Sequence, residues 1–138
     1  PHDALLTLRR GETAVIKSLR STERSAKLAQ NNWELLLRTA SQIGESEHAG
    51  CMVQVPWARV EDEEAPREYL WFRIVEVKGQ EVVGELAHTP DLVTSLSEGQ
   101  KETIAKTDVT DWVLMTPVGP MGPSDAGAIN DFLEQFNN

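Results

Sequence analysis

The sequence is poor in the residues from which catalytic and metal centres are usually built. It holds a single cysteine, Cys51, so it has no internal disulfide framework, and its chemistry is compatible with a reducing cytosol. Cys51 lies beside Met52 and Val53, which predicts a buried packing cysteine rather than a reactive thiol. There are three histidines, His2, His48 and His88, and none shares a helix face with a second ligand, so no zinc spacing exists. His88, followed by Thr89-Pro90, reads as a turn residue rather than a catalyst. No Gly-x-Ser-x-Gly elbow is present, and the lone cysteine has no histidine partner by sequence. The run Gly119-Pro120-Met121-Gly122-Pro123 has too many prolines to present a row of backbone N–H groups to a phosphate. No apolar run approaches the ~20 residues of a membrane span. The start, Pro1-His2-Asp3-Ala4, lacks the basic and apolar regions of a signal peptide. The expectation is therefore a cytoplasmic protein with no enzymatic residue set, no cofactor, no metal and no membrane contact.

Acidic residues, by contrast, are abundant. The 138 residues carry a net charge of −9, unevenly placed. Residues 1–43 hold seven Lys/Arg against four Asp/Glu, while residues 44–138 hold six against eighteen, a net −12. Such a body repels nucleic-acid phosphates, so no nucleic-acid partner is expected. It can steer a basic protein partner, or serve only to keep the chain soluble. With 22 acids in the chain, carboxylate pairs are inevitable, and glycosidase-type chemistry cannot be inferred from them.

The clearest local pattern is Glu68-Tyr69-Leu70-Trp71-Phe72-Arg73-Ile74-Val75-Glu76-Val77. Leu70, Phe72 and Ile74 face one side of a predicted strand; Tyr69, Trp71, Arg73, Val75 and Val77 face the other. Lys78-Gly79-Gln80 predicts a tight reversal into a partner strand, residues 81–87. Upstream, Ser21 to Ile43 reads as one helix, capped by Ser21 or Thr22 and ended by Gly44. Ala29, Trp33, Leu36, Ala40 and Ile43 form its apolar stripe, and Trp33 anchors it to the sheet. Leu28 and Leu35 lie opposite, as contacts for the N-terminal segment or as an exposed partner surface.

Elsewhere the signals are shorter. Two short elements are expected near residues 3–9 and 12–19, and a strand over 51–60 with Pro56 marking an edge or bulge. Residues 92–96 read as a turn of helix, 101–106 as a half-polar strand and 112–115 as another strand. The Pro/Gly-rich stretch after Met115 reads as irregular, and Ser124 or Asp125 caps a last helix bearing Ile129, Phe132, Leu133 and Phe136. Asp111-Trp112 reads as a structural anchor, its carboxylate holding turn N–H groups while the indole fills the end of a barrel. Together these predict an α+β fold: N-terminal helices packed on a strongly bent antiparallel sheet, or a half-open small barrel, with a C-terminal helix. One domain is expected, with an N-terminal extension over 1–20, a core over 21–115 and a connection plus helix over 116–138.

The string Glu68-Tyr69-Leu70-Trp71-Phe72, then Val83-Gly84-Glu85-Leu86 with Pro90, then Leu96 to Gly99, then Asp111-Trp112, resembles the bacterial family catalogued as domain of unknown function 2314. The resemblance covers roughly residues 25–115, with Lys101-Glu102 standing where a more apolar strand is typical. Family members are similar to proteins encoded near polymorphic bacterial toxins, so the resemblance implies an immunity protein. The expected function is a non-enzymatic immunity or antitoxin-like protein that binds a cognate toxin with a basic groove and occludes its active site. The expected contact residues are the acidic run Glu61, Asp62, Glu63 and Glu64, with Trp57 as hot spot. The same four acids also fit a plain solvated loop tip. The alternative function is a small ligand- or peptide-binding regulatory module with its site near Trp71 and Trp112.

Overall fold

The computed structural model describes residues 19–58 and 67–136. Two consecutive helices, α1 (Leu19–Asn31) and α2 (Trp33–Ile43), precede six strands and a final helix. The strands are β1 (Gly50–Trp57), β2 (Glu68–Lys78), β3 (Glu81–Leu86), β4 (Lys101–Ile104), β5 (Asp111–Thr116) and β6 (Gly119–Met121). A 3-10 turn at Lys106–Asp108 precedes β5, and α3 (Ala126–Phe136) ends the described chain. The strands form one sheet in the order β4-β3-β2-β1-β5-β6, antiparallel at every pairing. β4 and β6 stand at opposite edges, so the sheet is open and does not close into a barrel. The α+β class is as expected.

The period-two pattern of β2 builds two faces. Leu70 and Phe72 join Val53, Val55, Trp112 and Leu114 in the main core, against Trp33, Leu36 and Leu37 of α2 and Ile129 and Leu133 of α3. Trp33, 2% exposed, removes on the order of 150–250 Å² from water, about 4–6 kcal/mol before entropic and unfolded-state corrections. Its indole N–H donates to the Gln80 carbonyl at 2.8 Å, fixing the helix over the β2–β3 turn. That turn has two residues, Gly79 and Gln80, and Gly79 takes φ +61°, which suits the twist of a tight hairpin. At Gly84, a Cβ would sit 2.7 Å from Phe72 Cβ and 2.9 Å from Ile104 Cδ1; the absent side chain lets β3 close over the core. Among described residues the other face carries a smaller cluster, Met52, Trp71, Val113 and Met115, to which no helix contributes.

Several expectations need correction. The 21–43 helix is two helices, divided at Asn32, and α1 starts at Leu19, so Ser21 and Thr22 lie within it rather than capping it. The Asn32 amide donates to the Leu28 carbonyl at 2.9 Å, alongside the backbone N–H at 3.2 Å, and this competition disturbs the helical ladder. Residues 92–96 form no helix. The Pro/Gly-rich stretch is not wholly irregular: Gly119–Met121 pairs with β5, and Pro120 stands opposite Met115 on an edge strand, where a missing N–H leaves no ladder bond unmade. The strand expected over 51–60 runs over Gly50–Trp57, and that over 101–106 ends at Ile104. The short element expected near 3–9 falls outside the described residues, as does that near 12–19 except for Leu19, which opens α1.

Candidate functional site

Glu61, Asp62, Glu63 and Glu64 also lie outside the described residues. Trp57 ends β1 half-buried, its ring 5.8 Å from that of Phe72, so its inner side is held by the core. Trp71 and Trp112 are not brought together. Trp112 is 1% exposed on the helix side and donates from its indole to the Ala29 carbonyl at 3.1 Å, whereas Trp71 belongs to the opposite face. They cannot line one ligand site. Asp111 does anchor the start of β5: its Oδ1 accepts the N–H of Trp112 at 2.8 Å. Burial raises its carboxyl above the usual aspartate range, against the pull of that bond and of the Ser25 hydroxyl. Cys51 is buried in the main core, and burial pushes its thiol up to about 12.

What the fold does assemble is a cavity of about 580 Å³ on the face opposite the helices. Met52 of β1 and Met115 of β5 lie in its lining beside Leu86 and Ala87 at the end of β3. Charged or polar groups come from four places: Glu47 and His48 from the loop after α2, Arg73 from β2, Glu85 from β3, and Glu98 from the loop after β3. Register sets the middle of the site. Arg73 pairs with Met52 on one side and with Glu85 on the other. Arg73 is exposed, and its guanidinium makes no hydrogen bond or ion pair with a described residue. The methionines supply a polarisable, adaptable apolar surface.

The loop of residues 88–99, which brings Glu98 and Gly99 to the cavity, is tied to the sheet by Glu68. Its Oε2 accepts the N–H of Asp91 at 2.6 Å, and its Oε1 accepts those of Leu92 and Val93, each at 2.8 Å. Partial burial pushes the Glu68 carboxyl up, but these three N–H groups, with His88 nearby, outweigh it and hold the group below the usual glutamate range. His88 is a structural turn residue. Its Nε2 accepts the N–H of Trp71 at 3.1 Å, and its Nδ1 lies 3.3 Å from the Thr89 carbonyl. The Thr89 hydroxyl donates to Glu98 Oε1 at 2.9 Å, and Gly99 N–H donates to the Leu86 carbonyl at 2.8 Å. Glu98 and Gly99 are thus positioned by the sheet.

A family model described as uncharacterized proteins conserved in bacteria (DUF2314) matches residues 19–131. The chain belongs to that family. The match extends past Asp111-Trp112 to take in β6 and the first half of α3, beyond the 25–115 span of the resemblance read from the sequence. No curated protein and no solved structure matches the chain. Among the described residues no group of three or more His, Cys, Asp and Glu could hold a metal ion. No described helix is long and apolar enough to cross a membrane.

The cavity residues were not singled out in the sequence. The one available signal was Arg73, the only cation on the Tyr69-Trp71-Arg73-Val75-Val77 side of β2. Its neighbours across the sheet depend on strand order, which local patterns do not encode.

Proposed function

We propose that the protein is a non-enzymatic, immunity or antitoxin-like binding protein of the cytoplasm, which neutralises a cognate bacterial toxin by covering its active site. The observation that carries this reading is uncompensated negative charge. Residues 44–138 carry a net −12, yet between described residues the one ion pair is Lys78–Glu76, at 3.8 Å and exposed. Glu47, Glu81 and Glu85 form no ion pair with a described residue, although Lys78 stands opposite Glu81 and Arg73 opposite Glu85 across the hairpin, and they suit a partner with a basic groove. The contact residues on this reading are Glu61, Asp62, Glu63 and Glu64, with the outer side of Trp57. Co-purification with the product of the neighbouring gene tests it. Nanomolar capture, loss of that product's toxicity, and weakened capture by the Glu61→Lys/Glu63→Lys variant are expected. Capture that ignores the charge reversal, or no capture, overturns it.

A second reading, a small ligand- or peptide-binding regulatory module, is favoured by the cavity itself. Its volume lies within the ~300–1,000 Å³ of small-molecule sites, and it joins apolar lining to a few placed charges. A thermal shift with small molecules and none with a toxin would favour this reading.

A further inference from the structure

The cavity carries an inference that holds whether or not the acidic surface meets a toxin. Arg73 and Glu85 face each other directly across β2 and β3, yet no ion pair joins them, and both line the same hollow. Directly opposite cross-strand residues have Cβ atoms about 4.5–5.5 Å apart, so the two charged groups have overlapping reach. Among the described residues none accepts from the Arg73 guanidinium, whose five N–H donors form the planar fork that matches a carboxylate. On the other side of Arg73 stands Met52, and Met115 lines the hollow too.

Ligands of one charge fit this lining badly. A purely anionic group, such as a phosphate, would meet Glu47, Glu85 and Glu98 around it. A purely cationic one would meet Arg73 in the middle of the site. A ligand carrying both charges close together, with an apolar arm, matches the adjacent Arg73 and Glu85 and the two methionines, while Glu98 is already engaged by the Thr89 hydroxyl. We propose that the cavity binds a free α-amino acid with an apolar side chain: its carboxylate on Arg73, its ammonium on Glu85, and its side chain over Met52 and Met115.

Titration calorimetry on the full chain with L-leucine and L-methionine tests this, using the amide of each to remove the carboxylate and the N-acetyl form to remove the ammonium. The free amino acid is expected to bind, and each blocked form to bind roughly tenfold or more weakly, as expected when a charged partner is left unpaired. Arg73→Met and Glu85→Gln should each weaken the free amino acid by a similar factor while leaving the melting temperature without ligand unchanged. Absence of binding at millimolar amino acid overturns the proposal. So does equal binding of the amide, which would mean that Arg73 takes no carboxylate, and the blocked ligands decide this even if a variant fails to fold. Toxin capture is a separate readout, so the two readings can fail independently.

Discussion

Glu68 Oε1 accepts the backbone N–H of Leu92 at 2.8 Å, joining the first residue of β2 to a loop 24 positions later. Asp91 and Val93 donate to the same carboxylate, so one side chain replaces the turn of helix that residues 92–96 suggest in the sequence. Three N–H groups of an irregular loop gain a charged acceptor, which a short helix would have left unsatisfied at its own start.

The consequence is a defined pH dependence. The folded-state carboxyl of Glu68 is depressed, so its contribution is complete above the ordinary glutamate value of about 4.3 and fades as pH falls through the lower folded value. Glu68→Gln should lower the melting temperature at pH 7 and speed amide exchange at Asp91, Leu92 and Val93. The gap between the two proteins should narrow as pH falls below about 4. A gap that stays constant from pH 7 to pH 3 would show that the charge of Glu68 does not hold the loop.

Gly84→Ala tests the close approach of β3 to the core. The added Cβ would lie 2.7 Å from Phe72 Cβ, an atom next to the backbone that cannot rotate away, and 2.9 Å from the more yielding Ile104 Cδ1. A loss of about 1–3 kcal/mol in urea unfolding is expected, typical of an overfilled core. No change in the midpoint would mean that β3 shifts freely.

Where a single element determined its own shape, the sequence was legible. Alternation in Leu70, Trp71 and Phe72 gave β2 and both of its faces, and the stripe of Ala29, Trp33, Leu36 and Ile43 reached the core despite the break at Asn32. The break itself depends on an amide competing for one carbonyl, which spacing does not reveal. β6 was hidden because proline counts against a strand unless its edge position is known. The cavity was hidden for a related reason. Glu47, Arg73, Glu85 and Glu98 come from four separate segments, and the strand order that joins them is a property of the whole sheet.

Asp111 should work against stability once ionised. Burial raises its folded-state carboxyl, so the folded protein holds this proton more tightly than the unfolded chain does, and stability is lost as pH rises through that interval. Asp111→Asn keeps an oxygen for the Trp112 N–H and the Ser25 hydroxyl and removes the charge. The variant should be more stable than the parent at pH 7, with the advantage growing as pH rises from the ordinary aspartate value of about 3.9 and then levelling off. Urea unfolding across pH 3–7 measures it, and a variant less stable at pH 7 would refute it.

Cys51 offers a probe of how the core opens. It is 3% exposed on the helix side of β1, paired in register with Leu114. Burial pushes its thiol up to about 12, so in the folded core it is held as the unreactive thiol. A thiol-specific reagent should therefore label the native protein far more slowly than the urea-unfolded chain, whose cysteine returns to the ordinary value near 8.5. Labelling should also follow the global unfolding free energy, because β1 lies inside the sheet between β2 and β5 and has no free edge to fray. Destabilising the core through Gly84→Ala should then raise the labelling rate in proportion to the lost stability. Fast labelling of the native protein at pH 8 would mean that β1 separates from its neighbours locally, and the picture of Cys51 as an inert packing residue would fail.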